Sequence, residues 1–179
     1  MKSILFNTLL FQLGWFACVL SGAAKQPWIG VSIAVMIMAI HVMRATKRQN
    51  ELTLIMVAML IGTVLDSILV WQYWLSYPSG MFLENTAPYW IIVMWGLFAT
   101  TLNVSLRWLK GNIIMSAVIG AIAGPLAYYG GYKLGAVQFI DTPMALIALS
   151  IGWTILTPAL IYLSNKCDGY PPHLNRSPI

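Results

Sequence analysis

The chain has 179 residues, of which 59% are hydrophobic and 8% charged, and its mean hydropathy is +0.77. A soluble domain normally carries about a quarter charged residues, so this composition excludes a water-coated globule and points to a bilayer. The net charge of +5 is then a matter of membrane topology, not a nucleic-acid footprint, and no nucleic-acid partner is expected.

Six apolar runs follow in chain order, at 4–22, 28–46, 52–77, 88–109, 112–134 and 145–165. A helix rising about 1.5 Å per residue needs roughly 20 residues to cross the hydrocarbon, and each run is near that length. None alternates as a barrel strand would. The predicted fold is all-α, a polytopic bundle of six transmembrane helices over 1–165 with a short tail over 166–179. Pro27, Pro78-Ser79-Gly80, Pro88, Gly111-Asn112 and Pro143 fall between runs, where turn residues belong. With the N-terminus inside, Lys2, Arg44, Lys47, Arg48, Arg107, Lys110, Lys166 and Arg176 face the cytoplasm, against only Lys25 and Lys133 opposite. That asymmetry predicts cytoplasmic N- and C-termini in a multi-pass membrane protein. Trp28, Trp74, Tyr77, Tyr89, Trp90, Trp108 and Tyr132 fall near span ends and read as interfacial anchors.

The first run opens like a leader peptide, with Lys2 before an apolar stretch and Ser21-Gly22-Ala23-Ala24 after it. Asn7, Gln12 and Trp15 interrupt its apolar segment, so the run is expected to be retained as a span. Cys18 and Cys167 stand at opposite ends of the chain without metal-ligand spacing, which predicts two free thiols.

In the second run His41 and Arg44 are three residues apart and share a helix face. In the third, Asp66 lies about 14 residues in, roughly 21 Å deep, past the midplane. Thr63 and Tyr73 share its face, and Tyr128, Tyr129 and Trp153 reach comparable levels; no basic residue does. An intramembrane acid is a candidate functional group, a proton- or cation-responsive site or an anchor for an amine. The competing reading, which the residues favour, is a protonated acid bonded to a tyrosine, threonine or tryptophan of a neighbouring helix.

The fourth run carries Thr100, Asn103 and Arg107 at helical spacing. With His41, Arg44, Asn7, Gln12 and Glu51, these could form a basic pocket open to the cytoplasm, suited to an anionic headgroup or carboxylate. They could equally be snorkelling cations and interhelical hydrogen bonds, which is the favoured reading. The fifth run has a stripe of small residues, Ala117, Gly120, Gly124, Ala127 and Gly131, that lets helices approach closely. Pro125 and, in the sixth run, Pro158 are expected kinks. The tail from Cys167 to His173 is short and proline-rich, and is expected to be poorly ordered.

Two histidines, His41 and His173, are too few and too far apart for a haem or di-metal centre, so neither metal nor cofactor is expected. No HExxH, GxSxG or phosphate-binding loop is present. An intramembrane enzyme would need Asp66 and His41 to converge, and their depths differ by more than about 10 Å. The reading leans away from catalysis.

Several phrases resemble one family. They are Leu10-Phe11-Gln12-Leu13-Gly14-Trp15 with Pro27-Trp28-Ile29-Gly30, then Leu97-Phe98-Ala99-Thr100-Thr101-Leu102-Asn103 through Trp108-Leu109. Gly124-Pro125-Leu126-Ala127-Tyr128 with Leu134-Gly135-Ala136-Val137 makes a third. These are similar to small bacterial inner-membrane proteins catalogued as domain of unknown function 2878. The resemblance supplies no activity and no catalytic residue. The genomic neighbourhoods of such proteins imply membrane-lipid modification, and so a non-catalytic accessory or lipid-binding protein whose partners are membrane lipids, with a protein partner or homo-oligomer as a further option. The alternative is a small-solute carrier or substrate-binding subunit of a transporter. The candidate ligand residues are Asp66, His41, Asn103, Arg107, Gln12 and Tyr128. A lipid-binding protein predicts a lateral opening between helices, whereas a carrier predicts an aqueous cavity reaching Asp66 or Asn103.

Overall fold

Proline and short polar side chains start the helices. Pro27 occupies the first turn of its helix, where a missing N–H costs nothing. The side chains of Asn112 and Asp141 accept from the amides of Met115 and Met144 at 2.9 and 3.1 Å, capping two more. The computed structural model describes residues 2–170. Its helices are α1 (Lys2–Ala23), α2 (Pro27–Arg44), α3 (Arg48–Trp71), α4 (Tyr89–Leu102), α5 (Ile113–Lys133) and α6 (Thr142–Lys166). Five are long and apolar enough to cross a membrane, and α4 is shorter at 14 residues. Their outward faces carry large apolar side chains such as Leu60, Ile114 and Ile155, as a bundle in lipid requires.

The helices pack as hairpins. α1 lies against α2, α3 against α4 and α5 against α6, while α4 also touches α1 and α2. One end of the bundle, where α1 begins and α6 finishes, is called the terminal end below. At the other, strands β1 (Leu75–Ser76) and β2 (Gln138–Phe139) pair antiparallel, joining the α3–α4 and α5–α6 connections. The expected small-residue stripe works between α5 and α6: a Cβ at Gly124 would sit 2.2 Å from Cγ of Trp153. Pro125 lies within α5 and has no N–H for the carbonyl of Ala121, which instead accepts from Ser150 Oγ of α6 at 3.1 Å.

Two spans are shorter than their apolar runs. α3 stops at Trp71 rather than continuing to 77, because Tyr73 adopts a left-handed φ of 58° and the Trp74 amide turns back to the Leu69 carbonyl at 3.0 Å. Pro78 disfavours helix at the preceding residue. α4 ends at Leu102, and only a short 3-10 helix, Arg107–Leu109, remains of its run to 109. The hydroxyls of Thr100 and Thr101 bind the carbonyls of Leu97 and Phe98 at 2.7 and 2.6 Å, and such local bonds compete with the helical ladder. Two of the expected interfacial aromatics belong instead to the interior, Trp90 at 0% exposure and Tyr77 at 6%. Of the tail expected to be poorly ordered, Cys167–Tyr170 docks onto the terminal end; Pro171, Pro172, His173 and Arg176 lie outside the described residues.

Candidate functional site

Asp66 sits on the buried face of α3, five residues before its end, with no exposed surface. Its Oδ1 accepts from the hydroxyls of Tyr77 at 2.8 Å and Tyr128 at 2.7 Å. Its Oδ2 accepts from the Trp95 indole Nε1 at 2.7 Å. All three partners are uncharged, so hydrogen bonds hold the acid and no ion pair does. Tyr128 comes from α5 as the depth count anticipated. Thr63 does not join; its hydroxyl returns to the Met59 carbonyl at 2.7 Å. Tyr73 is 63% exposed and points away. Tyr77, expected as an interfacial anchor, and Trp95, to which the sequence assigns no role, are the two partners that depth does not identify. Tyr77 arrives through the chain reversal after α3, which helical spacing cannot foresee. Trp95 enters because Gly62, one turn before Asp66, has no side chain; a Cβ there would lie 2.0 Å from the indole.

A second polar cluster forms at the terminal end. Glu51, fully buried at the start of α3, lies 2.7 Å from His41 Nε2. Its Oε1 accepts from Asn103 Nδ2 at 2.7 Å and from the Gly169 amide at 2.8 Å. Arg107 donates to Asp168 Oδ1 at 2.8 Å and to the Tyr170 carbonyl. Lys110 donates to Asp168 Oδ2 at 3.0 Å and to Asn103 Oδ1 at 2.6 Å. The Tyr170 hydroxyl closes the ring on the His41 carbonyl. His41, Asn103 and Arg107 therefore converge, around acids that the chain itself supplies, in place of the open basic pocket. Burial alone would push Asp168 up, but hydrogen bonds from Arg107, Lys110 and the Tyr170 amide hold it below the usual carboxylate range. Burial, joined by the Glu51 charge, raises the Tyr170 phenol to about 12. Arg44 stands apart over the Phe6 ring at 4.8 Å, and Asn7 bonds the Thr100 carbonyl at 3.1 Å. His41 and Asp66 occupy opposite ends: Glu51 and Asp66 are separated by about 22 Å along α3.

Between these clusters lies a cavity of about 520 Å³. α1 contributes Phe11, Gln12, Trp15 and Phe16 to its wall; α4 contributes Met94, Trp95 and Phe98. Ala123, Leu126 and Tyr128 of α5 and Trp153 and Thr157 of α6 line it as well. The wall is mostly apolar and rich in aromatic side chains. Trp95 and Trp153 stack at 4.6 Å, and Phe98 stands edge-on to Trp153 at 5.2 Å. α1 and α5 scarcely touch, and the wall residues Gln12, Phe16, Ala123 and Leu126 at this gap are all exposed. The cavity thus opens sideways between two helices. Asp66 and Asn103 do not line it; Trp95 and Tyr128, which hold Asp66, do.

The family description "Protein of unknown function (DUF2878)" matches residues 4–159. The chain belongs to this family. Comparison with curated proteins and with solved structures returned no match. Among the described residues no three His, Cys, Asp or Glu side chains gather as a metal site, and the buried acids are occupied by hydrogen bonds within the chain. What remains open to a ligand is the cleft.

Proposed function

We propose that this protein binds a membrane lipid in the cleft between α1 and α5, as a non-catalytic component of membrane-lipid metabolism in a bacterial inner membrane. In this proposal both termini face the cytoplasm, in keeping with the charge asymmetry. The observation that carries the reading is the apolar cavity of about 520 Å³ with its sideways opening. Its volume lies within the range of about 300–1,000 Å³ of ligand sites, and a lipid reaches it without leaving the bilayer. A carrier for polar solutes has less support, because it calls for a water-filled route to Asp66 or Asn103, and these are 0% and 1% exposed.

The test fills the cleft. Ala123→Phe projects a ring into the wall from α5, beside the gap. Native mass spectrometry of protein taken from bacterial membranes is expected to show lipid adducts that this variant loses. Equal adducts on both proteins would defeat the proposal.

A further inference from the structure

Among the described residues no charged side chain lines the cleft. The phosphate or ammonium of a headgroup drawn inside would give up its water and meet no opposite charge in return. The cavity is also shut at both ends. Leu109 is buried at the terminal end, and Val19, Trp90, Gly131 and Val137 are buried at the other. Toward that second end the gap between α1 and α5 closes as well. The Trp15 ring reaches across to α5, where a Cβ on Gly130 would stand 3.4 Å from its Cη2, and a Cβ on Gly135 would stand 3.9 Å from that of Ala23. Toward the terminal end the wall takes nothing from α1 before Phe11 or from α5 before Ile119. What stays open is the stretch where Gln12 and Phe16 face Ala123 and Leu126.

That mouth lies deep in the membrane. Counted from the terminal end, Gln12 and Phe16 lie about 15 and 21 Å along α1, and Ala123 and Leu126 about 15 and 20 Å along α5. A hydrocarbon layer about 30 Å thick has its midplane near that level. Headgroups sit at either boundary, so what passes the mouth is the far part of a chain. An extended chain advances about 1.2 Å per bond, so from either boundary one shorter than about twelve carbons ends before the mouth. The surrounding lipid is as apolar as the cleft, and the hydrophobic effect does not favour entry. Packing does. A chain laid against the rings of Trp95, Phe98 and Trp153 gains dispersion contacts that a void forfeits.

We infer that the cleft recognises its lipid by the hydrocarbon chain and leaves the headgroup in the bilayer. The ligand class is a lipid with at least one chain long enough to pass the membrane midplane, whatever headgroup it carries. This deepens the lipid-binding proposal and rests on it. Chain length sets the choice, and the Trp15 ring covers the chain end once it is inside.

The protein in phosphatidylcholine nanodiscs is mixed with probe lipids that carry a diazirine at the end of one chain. The chain is of palmitoyl or decanoyl length, and the headgroup is choline, ethanolamine or glycerol. After illumination the labelled residues are read by peptide mass spectrometry. Palmitoyl-length probes are expected to label Met94 and Phe98 on the cleft wall, and to agree within about twofold whichever headgroup they carry. Decanoyl-length probes should label those two residues at least about tenfold less. Ala123→Phe and, independently, Leu126→Trp narrow the mouth and should remove the wall labelling, while labelling of Leu60 on the outer face of α3 stays as it was. A preference of about tenfold for one headgroup at constant chain, or decanoyl-length probes that label Phe98 as strongly as palmitoyl-length ones, overturns recognition by the chain and leaves lipid binding standing. If no probe labels Met94 or Phe98 in a way that the two mouth variants remove, the lipid-binding proposal itself fails.

Discussion

Asp66 shows what a buried acid does when no cation is within reach. Two hydroxyls and an indole N–H meet its two oxygens at 2.7–2.8 Å, and these are the groups an interior without basic residues can offer. The expectation of a tyrosine or tryptophan partner was legible because depth along a helix can be counted from sequence. Tyr128 followed from that count. Tyr77 did not, since in an unbroken helix it would stand about 16 Å beyond Asp66; only the reversal at Tyr73 folds it back. The acid's partners also decide what Asp66→Asn does. One oxygen of asparagine can serve the two tyrosines, but its amide then confronts the Trp95 N–H, donor against donor. The variant should lose about 1–3 kcal/mol, read as a lower Tm by thermal unfolding in detergent. A wild-type Tm would mean that one oxygen of Asp66 already donates.

Elements in this bundle are shaped by where carbonyls find partners. α4 stops after 14 residues although its apolar run continues, because threonine hydroxyls take two of its last carbonyls and Arg107 Nε takes that of Asn103 at 2.8 Å. Hydropathy does not register this, as Val104, Leu106, Trp108 and Leu109 keep the run apolar on average although Asn103, Ser105 and Arg107 interrupt it. The same blindness applied to the tail, whose prolines and polar residues read as disorder while Asp168 and Gly169 find Arg107, Lys110 and Glu51. Close packing between α3 and α4 depends on one missing methyl group. Gly62→Ala would drive a Cβ into Trp95, cost about 1–3 kcal/mol as overpacking does, and pull the indole off Asp66. Near-ultraviolet circular dichroism should report the displaced tryptophan, and an unaltered spectrum would count against the slot. At the tail, Asp168 is held below the ordinary carboxylate range. The stability it contributes is therefore complete above about 3.9, its unfolded value, and is lost as pH falls through its lower folded value. Hydrogen exchange of the Gly169 and Tyr170 amides should stay slow through pH 5 and quicken only below that value. Asp168→Asn should exchange fast at every pH. A release near pH 6 that Asp168→Asn leaves intact would assign the docking of Gly169 and Tyr170 to another group.

At the scale of the molecule, the six helices and their lipid-facing character were legible from composition and run length. The cleft was not. A cavity is a relation between helices, and a single sequence records each helix's faces without saying which neighbour each face meets. Gln12 was the nearest signal, a polar residue on an apolar helix, and it was drawn toward the cytoplasmic cluster only because the arrangement of α1 against α5 was unknown. In the structure the cluster around Glu51 closes upon itself, and Gln12 faces the cavity.

The fastenings of the bundle are unevenly placed. β1 pairs with β2 at one end, and Asn103 with Arg107 grips Cys167 and Asp168, just past α6, at the other, so α3, α4 and α6 are tied at top and bottom like the spine of a book. The two helices that border the gap sit on separate covers, α1 with α2 and α5 with α6, and share almost no contact. Spreading them breaks little, whereas parting α4 from α6 would break both ties. The bundle is therefore compliant in one direction and stiff in the others, and its soft direction is the one that faces the lipid.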